Sequence, residues 1–385
     1  MSQTDREAIN AILHYENFSR VPILHFGFWT STLQKWAKEG HISAEELSEI
    51  ITGGLIIDGN PAEKNLAQRL GFDDSILVMV SQKGRFFEFP LFPHFEEKII
   101  ERYENGSYKM LNKDGVYVLC KDDVTSISAE IEHILTDRTS WEEHYMPRLQ
   151  WTEERVDKEQ LQMHVNENET RDRYTALYGG SLYGKLRNYW GIVGISYLQV
   201  DDYGLLKECA DAVGDISYKW MEYAYNSGLR PDFVHFWEDI CYRSGSLVNP
   251  DIFRDLTGRH YRRLADLSGR YGVDILTVDC DGFIEDLVPI WLDNGVNTML
   301  PIEVGAWEYD FSTMRKKFGK EVLGIGNVNK GVFAKDRKAV DAEVERIKRV
   351  VELGGFVPCP DHRIAEDAEW DLVKYYCEKM REAFS

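Results

Sequence analysis

Six side chains in the second half of the chain have the types that site chemistry needs: His235, Glu238, Asp279, Asp281, Glu303 and His362. Carboxylates are hard oxygen ligands and imidazole is a borderline nitrogen donor, so the set suits a divalent ion such as Zn2+. Without a cation, carboxylates gathered at one place would raise one another's pKa values by repulsion. A bound metal removes that penalty, and so does a cationic substrate. Each residue also has an ordinary duty open to it. Asp279 and Asp281, in "LTVDCDGFIEDL" over 276–287, could cap a helix beginning near Phe283. Asp361-His362 could form a turn, and His235 could be a satisfied core histidine. Cys280 and Cys359 read as small buried fillers rather than ligands.

The elements that carry these residues raise the argument above the single side chain. "PDFVHFWEDI" (231–240), "VDILTVDCDG" (273–282), "NTMLPIEVG" (297–305), "EVLGIGNVNKG" (321–331) and "GGFVPCPDH" (354–362) are short apolar segments suited to buried strands. Helical patterns lie between them. One follows Asn249-Pro250 with apolar residues at Ile252, Phe253, Leu256, Tyr261, Leu264 and Leu267. Another repeats Val340, Val344, Ile347 and Val351 and stops at Gly354-Gly355, as a helix C-terminus should. Strands alternating with helices predict a parallel sheet. The five strands end on Glu238-Asp239, Asp279/Asp281, Glu303, Asn327/Asn329 and Asp361-His362. Polar groups at successive strand ends favour a (β/α)8 barrel, whose strand ends share one mouth.

The first half is less regular. "RVPILHFGFW" (20–29) suits a first strand with His25 near its end, and "RYTALYGG" (173–180) suits a later one. Residues 73–130 alternate like hairpins, with a Lys-Asp-Gly turn in "GSYKMLNKDGVYVLC", and predict a β-rich insertion. The N-terminal segment reads as an amphipathic helix, and residues 1–385 as a single barrel domain. "GGSLYGK" (179–185) has phosphate-loop spacing, but Leu186 stands where that loop needs a hydroxyl, so its glycines read as turn residues.

Composition narrows the class. With 43% hydrophobic residues and 11 prolines, a chain of 385 residues can bury a large core. A formal net charge of −20 argues against nucleic-acid and anionic-membrane partners. Six cysteines without a CxxC pair predict a reducing cytoplasm. No apolar run nears the roughly 18 residues of a membrane span.

At these residues the chain resembles the uroporphyrinogen decarboxylase superfamily, which includes corrinoid-dependent methyltransferases. The likeness runs from "RVPILHFGFW" to "CPDHRIAEDAEWDLVKYYCEKMREAF" and is strongest across "FVHFWEDICYRSGSLVNPDIFRDL", "VDCDGF", "PIEVGA", "GIGNVNKG" and "GGFVPCPDH". It implies a (β/α)8 barrel, as the strand pattern does. The decarboxylase branch carries an arginine-rich segment near its first strand, whereas here Arg20 is followed by no arginine before Arg69. The thiol-methylating branch holds zinc with a His-x-Cys-Gly motif. Aligned on Gly282, both of those ligand positions are aspartate, at Asp279 and Asp281, and a later cysteine ligand falls near Cys359 to His362. An oxygen-rich site is the harder Lewis acid and suits activation of a methyl ether oxygen.

The resemblance therefore implies a methyltransferase that moves a methyl group from a small methoxylated donor, an aryl methyl ether, to the cobalt of a corrinoid (cobalamin) carried by a partner protein. Asp279, Asp281, Glu303 and His362 are the expected Zn2+ ligands. Glu238, His235 and Asp279 are the expected catalytic residues, orienting substrate or protonating the departing oxygen. Phe28, Trp29, Phe236 and Trp237, with Phe26, suit an aryl substrate, although aromatics there also build cores. A homodimer is compatible with the superfamily. Two other readings stay open: a decarboxylase of a small or tetrapyrrole-like acid, which needs basic residues at the mouth and no metal, and a non-catalytic corrinoid- or tetrapyrrole-binding protein.

Overall fold

The apolar segments read from the sequence pair side by side in the computed structural model, which describes residues 3–384 apart from 53–54, 57, 82–85, 88, 122–127 and 306. β1 (Leu24–His25) pairs in parallel with β2 (Asp74–Ser75). β3 (Ala176–Gly180), β4 (Phe233–Trp237), β5 (Leu276–Asp279), β6 (Thr298–Leu300), β7 (Leu323–Val328) and β8 (Phe356–Pro360) form one six-stranded parallel sheet in chain order. Every residue of β7 and β8 is buried, which is how parallel strands covered on both faces behave. Among the described residues the pair and the sheet remain separate ladders, touching through an isolated parallel bridge between Phe28 and Ile364. The strand pairing thus establishes an α/β fold and does not itself close the expected barrel.

Helices lie between the strands: α1 (Asp5–Leu13), α2 (Thr30–Lys38), α3 (Pro61–Leu70), α4 (Gly184–Asp201), α5 (Tyr203–Asn226), α6 (Pro250–Gly269), α7 (Phe311–Phe318), α8 (Arg337–Val351) and α9 (Trp370–Ala383). Local chemistry sets their ends. Asn249 accepts from the Asp251 N–H at 2.8 Å while Pro250 occupies the first helical position, so α6 starts there. In α8, Val340, Val344, Ile347 and Val351 recur on one face and are all buried. Burying each contributes roughly 1.5–3 kcal/mol. Among the described residues no helix is long and apolar enough to cross a membrane.

The β-rich excursion is narrower than the sequence suggests. Four antiparallel strands, Lys98–Arg102, Ser107–Leu111, Val116–Lys121 and Ala129–His133, make a meander. Residues 74–75, placed in the insertion from their pattern, instead form β2. A two-residue strand carries no readable period, which is why it was hidden. At the other end of the sheet, α1 closes the floor. The Gly355 N–H donates to Ile12 O at 3.1 Å and the Tyr15 hydroxyl to Lys320 O at 2.6 Å, both just before strands β8 and β7. The strand C-terminal ends stay clear of it.

Beside β1, His25 and Glu63 are both buried. The Gly27 N–H donates to His25 Nδ1 at 3.1 Å, so the proton sits on Nε2, 3.6 Å from Glu63 Oε1. Burial pushes the Glu63 carboxyl up from 4.5 to about 7 and His25 down to about 3. The folded state therefore keeps a Glu63 proton that the unfolded chain releases, and its stabilising effect is lost as pH rises from 4.5 through about 7. The difference corresponds to about 3 kcal/mol. His25, neutral when folded but protonated in the unfolded chain below 6.5, acts in the opposite direction, so the Glu63 contribution is read as a difference. Between about pH 5 and about pH 8 the stability of the parent relative to Glu63→Gln, from denaturant titrations, should fall by a comparable amount. An unchanged slope in the variant would refute the assignment.

Candidate active site

The C-terminal ends of the strands are knitted into one rim. The Glu238 N–H donates to Asp279 O, Cys280 N–H to Leu300 O, Asn327 N–H to Pro301 O and Asp361 N–H to Val328 O, each at 2.9 Å. Beyond β8, the Ile364 N–H reaches Gly27 O at 3.0 Å, and the Trp29 N–H reaches Ile364 O at 3.1 Å. At β7, Gly326 has φ +119°, and any Cβ there would overlap Pro301 O, so the approach of β7 to the turn after β6 requires glycine. The rim gathers the polar strand ends, as the sequence predicts.

The acids on this rim have different environments. Glu238 is fully buried and takes backbone N–H groups from Leu182 (2.7 Å), Tyr183 (2.9 Å) and Gly184 (2.6 Å), with the Tyr261 hydroxyl and, at 3.4 Å, Ser181 Oγ. Burial pushes its carboxyl up, and these donors pull it back. Donors on both oxygens make it the N-terminal anchor of α4. Asp361 accepts from the Val304 N–H at 3.0 Å and the Lys330 N–H at 3.2 Å. Glu303 accepts from the Gly282 N–H at 2.8 Å and has Lys330 Nζ 3.9 Å from its other oxygen. Asp239 faces Arg187 at 3.7 Å.

Asp279 is the exception. Its carboxyl takes no hydrogen bond from any described residue. Burial, then repulsion from Asp281, Asp239 and Glu303, pushes it well above the usual carboxylate range. Both effects favour the protonated acid over the carboxylate. Burial and Asp281 also push Asp239 and Glu303 up.

Asp279 opens into a cavity of about 410 Å³ that Tyr178, His235 and Trp237 also line. Its register explains this: Tyr178, His235 and Thr277 lie in one row of the sheet, with Trp237 and Asp279 in the row above. The Thr277 hydroxyl donates to Val234 O at 3.2 Å, so it accepts from His235 Nδ1 at 2.9 Å. His235 Nε2 is then an acceptor, and burial holds this imidazole neutral, lowered to about 3. The far walls are aromatic. Phe87 stacks on Trp220 at 4.0 Å, and Phe89 meets Tyr178 edge-on at 5.7 Å. Lys113 and Asp114, from the meander turn, form one further wall with Lys185. Asp114 and Lys185 pair at 2.9 Å.

The expected residues divide accordingly. Asp279, His235 and Trp237 share the cavity. Glu238 is enclosed by its donors and does not line it. Phe28 packs against His25 and Trp36, and Phe236 against Tyr261 of α6, so both are core rings rather than substrate contacts. Trp29 and Phe26 stack on the two sides of His362, at 5.5 Å and 5.4 Å. The proposed metal set is not assembled. His362 Nε2 stands 3.4 Å from Asp281, but Glu303 is turned to a backbone N–H beside a lysine, and Asp279 faces the cavity. Among the described residues no three His, Cys, Asp or Glu side chains are arranged to hold an ion, so the donors as disposed do not fit a divalent metal. Burial pushes the Cys280 and Cys359 thiols up, away from the thiolate a metal needs. The sequence reading missed Lys113, Asp114, Tyr178, Lys185, Phe87, Phe89 and Trp220. Two signals were present: the Lys-Asp-Gly turn, taken only as a hairpin, and Lys185, set aside with the turn glycines.

No protein-family model matches the chain, and no curated protein matches it in sequence. In solved structures it is similar to a methyltransferase from Methanosarcina mazei, with a TM-score of 0.56 over 99% of each chain and 13% identity. At that identity the likeness establishes a shared fold.

Because Glu238 satisfies three backbone N–H groups at once, Glu238→Gln turns an amide NH2 toward donors. We expect a loss of about 2–4 kcal/mol, read by urea unfolding. A variant as stable as the parent would show that these N–H groups have other acceptors.

Proposed function

We propose that this protein is a methyltransferase that moves the methyl group of a small methyl ether to the cobalt of a corrinoid on a separate protein. The resemblance of the strand-end motifs and the fold shared with a methyltransferase support methyl transfer as the class. The same reading takes the two ladders as parts of one (β/α)8 barrel, supported by the Phe28–Ile364 bridge across the gap between β8 and β1. The observation that carries the chemistry is Asp279, a carboxyl without a described hydrogen-bond donor that lines an aromatic-walled cavity and is pushed toward its protonated form by burial and by Asp281, Asp239 and Glu303.

An ether methyl group is a poor electrophile because its leaving group would be an alkoxide or phenoxide. A proton on the oxygen changes that. Asp279, pushed toward its protonated form, is placed to supply that proton, and no described residue accepts from its carboxyl. In the reaction the O–CH3 bond breaks, its electron pair stays on oxygen and takes the Asp279 proton, and the methyl group passes to the cobalt. A corrinoid cobalt in its reduced state is the acceptor that supplies the attacking electron pair. The Asp279 carboxylate left behind faces Asp281, Asp239 and Glu303, whose repulsion favours its reprotonation for the next turnover. His235 Nε2, an acceptor deeper in the cavity, orients a donor group on the substrate, and Trp237 covers its ring. The donor groups do not fit a divalent ion as they stand, so the proton performs the activation. A reduced partner needs a reducing compartment such as the cytoplasm, and the six free cysteines accord with that.

One observation favours a second reading, decarboxylation of a small acid. That chemistry needs basic residues at the mouth, and Lys113 and Lys185 line the cavity. Release of CO2 from an arylcarboxylate without methyl transfer would decide for it.

Methyl transfer from methoxyaromatics to cob(I)alamin, followed by its absorbance, tests the main reading. Asp279→Asn, isosteric but unable to donate an acidic proton, should lower the rate by about 10²–10⁴-fold. The wild-type rate should fall as pH rises through the elevated Asp279 pKa, and the residual rate of the variant should not follow pH. Full activity in Asp279→Asn would remove the acid from the mechanism.

A further inference from the structure

We infer that the outer face of the second half of α4 is an interface between two copies of this chain, related by a two-fold axis. At Gly191, φ +68° interrupts the helix, and a Cβ there would overlap the His133 ring, so α4 bends against the last strand of the meander. Beyond the bend, Ile195 and Leu198 face the core. The outward residues are apolar as well: Ile192 is 51% exposed, Val193 70%, Tyr197 66% and Val200 83%. A surface helix ordinarily turns charged groups to water, and one that is apolar all round is normally covered. Residues 188–200 contain no charged side chain, in a chain of which 29% is charged.

Shape, polarity and charge all fit a second copy. The exposed side chains form two adjoining ridges of four-residue spacing, Ile192–Ser196–Val200 and Val193–Tyr197. Such ridges pack into the grooves between identical ridges of another helix, so this face is complementary to itself. Ser196 is the small member, a notch between Ile192 and Val200. Its hydroxyl already donates to Ile192 O at 2.7 Å, so covering the face strands no donor. A two-fold contact sets a surface against itself, and any charge on it meets its own sign. With a formal net charge of −20, most of the surface is poorly suited to that, and this uncharged stripe is not. The same charge, with Asp201 and Asp202 at the helix end, turns the face away from an anionic lipid surface, which calls for basic residues beside apolar ones. A stable interface buries about 800 Å² on each partner, more than one helical stripe gives. Ile131, exposed and two residues before His133, extends the apolar surface toward the meander.

Sedimentation velocity on the full chain tests the interface. At about 10 µM the chain should sediment with the mass of two copies. Raising salt from about 50 mM to about 500 mM should tighten the pair, because ions screen its like charges. Val193→Glu and Val200→Glu change side chains already in water and leave the core intact. Each should weaken association at least about a hundredfold by setting added carboxylates into the contact. The milder double change, Val193→Ser with Val200→Ser, should weaken it about tenfold. Met163→Glu, at an exposed apolar residue outside the stripe, should change nothing. A chain that stays monomeric to about 100 µM, a pair that loosens with salt, or a pair indifferent to both glutamate variants would overturn the inference.

Discussion

An acid buried at the end of a parallel sheet must find donors or surrender its charge, and the site follows from how each acid meets that demand. Glu238 draws three backbone N–H groups and two hydroxyls and becomes part of the scaffold. Asp361 and Glu303 take backbone N–H groups from the neighbouring strand ends, with Lys330 between them. Asp279 is left without a donor, beside three other carboxyls. Ionising it would place a further charge among them, so the protonated form is favoured. Scaffold acids and a reactive acid thus arise from one residue type, separated by what the backbone offers each.

That separation depends on segments distant in sequence. The donors to Glu238 belong to residues 182–184, at the start of α4, and Gly184 is there because a Cβ would overlap the Glu238 carbonyl. The turn and the carboxylate therefore fit only as a unit. With β3 fixed against β4 in this way, Tyr178 and His235 share one row and project into the same space. Asn327 serves a similar end further round the rim. Its side-chain amide donates to Ile302 O at 3.0 Å and Tyr309 O at 2.9 Å, fixing the loop between β6 and α7 that holds Glu303.

Much of the frame was legible because its signals are local. The apolar strand runs, the Asn249-Pro250 start of α6 and the valine stripe of α8 each follow from a short stretch of chain. The gathering of polar strand ends on one rim was legible for the same reason. Their roles were not. Glu238 and Asp279 have similar sequence contexts, each closing an apolar strand, yet the N–H groups that distinguish them come from some 55 residues away for Glu238 and are missing for Asp279. Phe236 and Trp237 show the same limit on a smaller scale. Adjacent residues of a strand face opposite ways, so one packs on Tyr261 and the other lines the cavity. The metal set illustrates a different gap: shared rim position does not bring donor atoms to bonding distance, and Glu303 turns to the Gly282 N–H instead.

The meander adds what the parallel frame lacks. The turn at 112–115 lines the cavity through Lys113 and Asp114, held by the Asp114–Lys185 pair and by the Tyr145 hydroxyl, which donates to Asp114 O at 3.0 Å. Gly115 is required at that point, since its φ is +79° and a Cβ would crowd Phe95. The frame supplies the acid and the meander supplies part of the cavity wall. The meander is tied to the frame through the Asp114–Lys185 pair and through its last strand, where His133 packs on Gly191 of α4, and none of these contacts involves the Asp279 carboxyl. A cavity built in this way takes its acid from the parallel frame and part of its wall from a turn inserted into the fold.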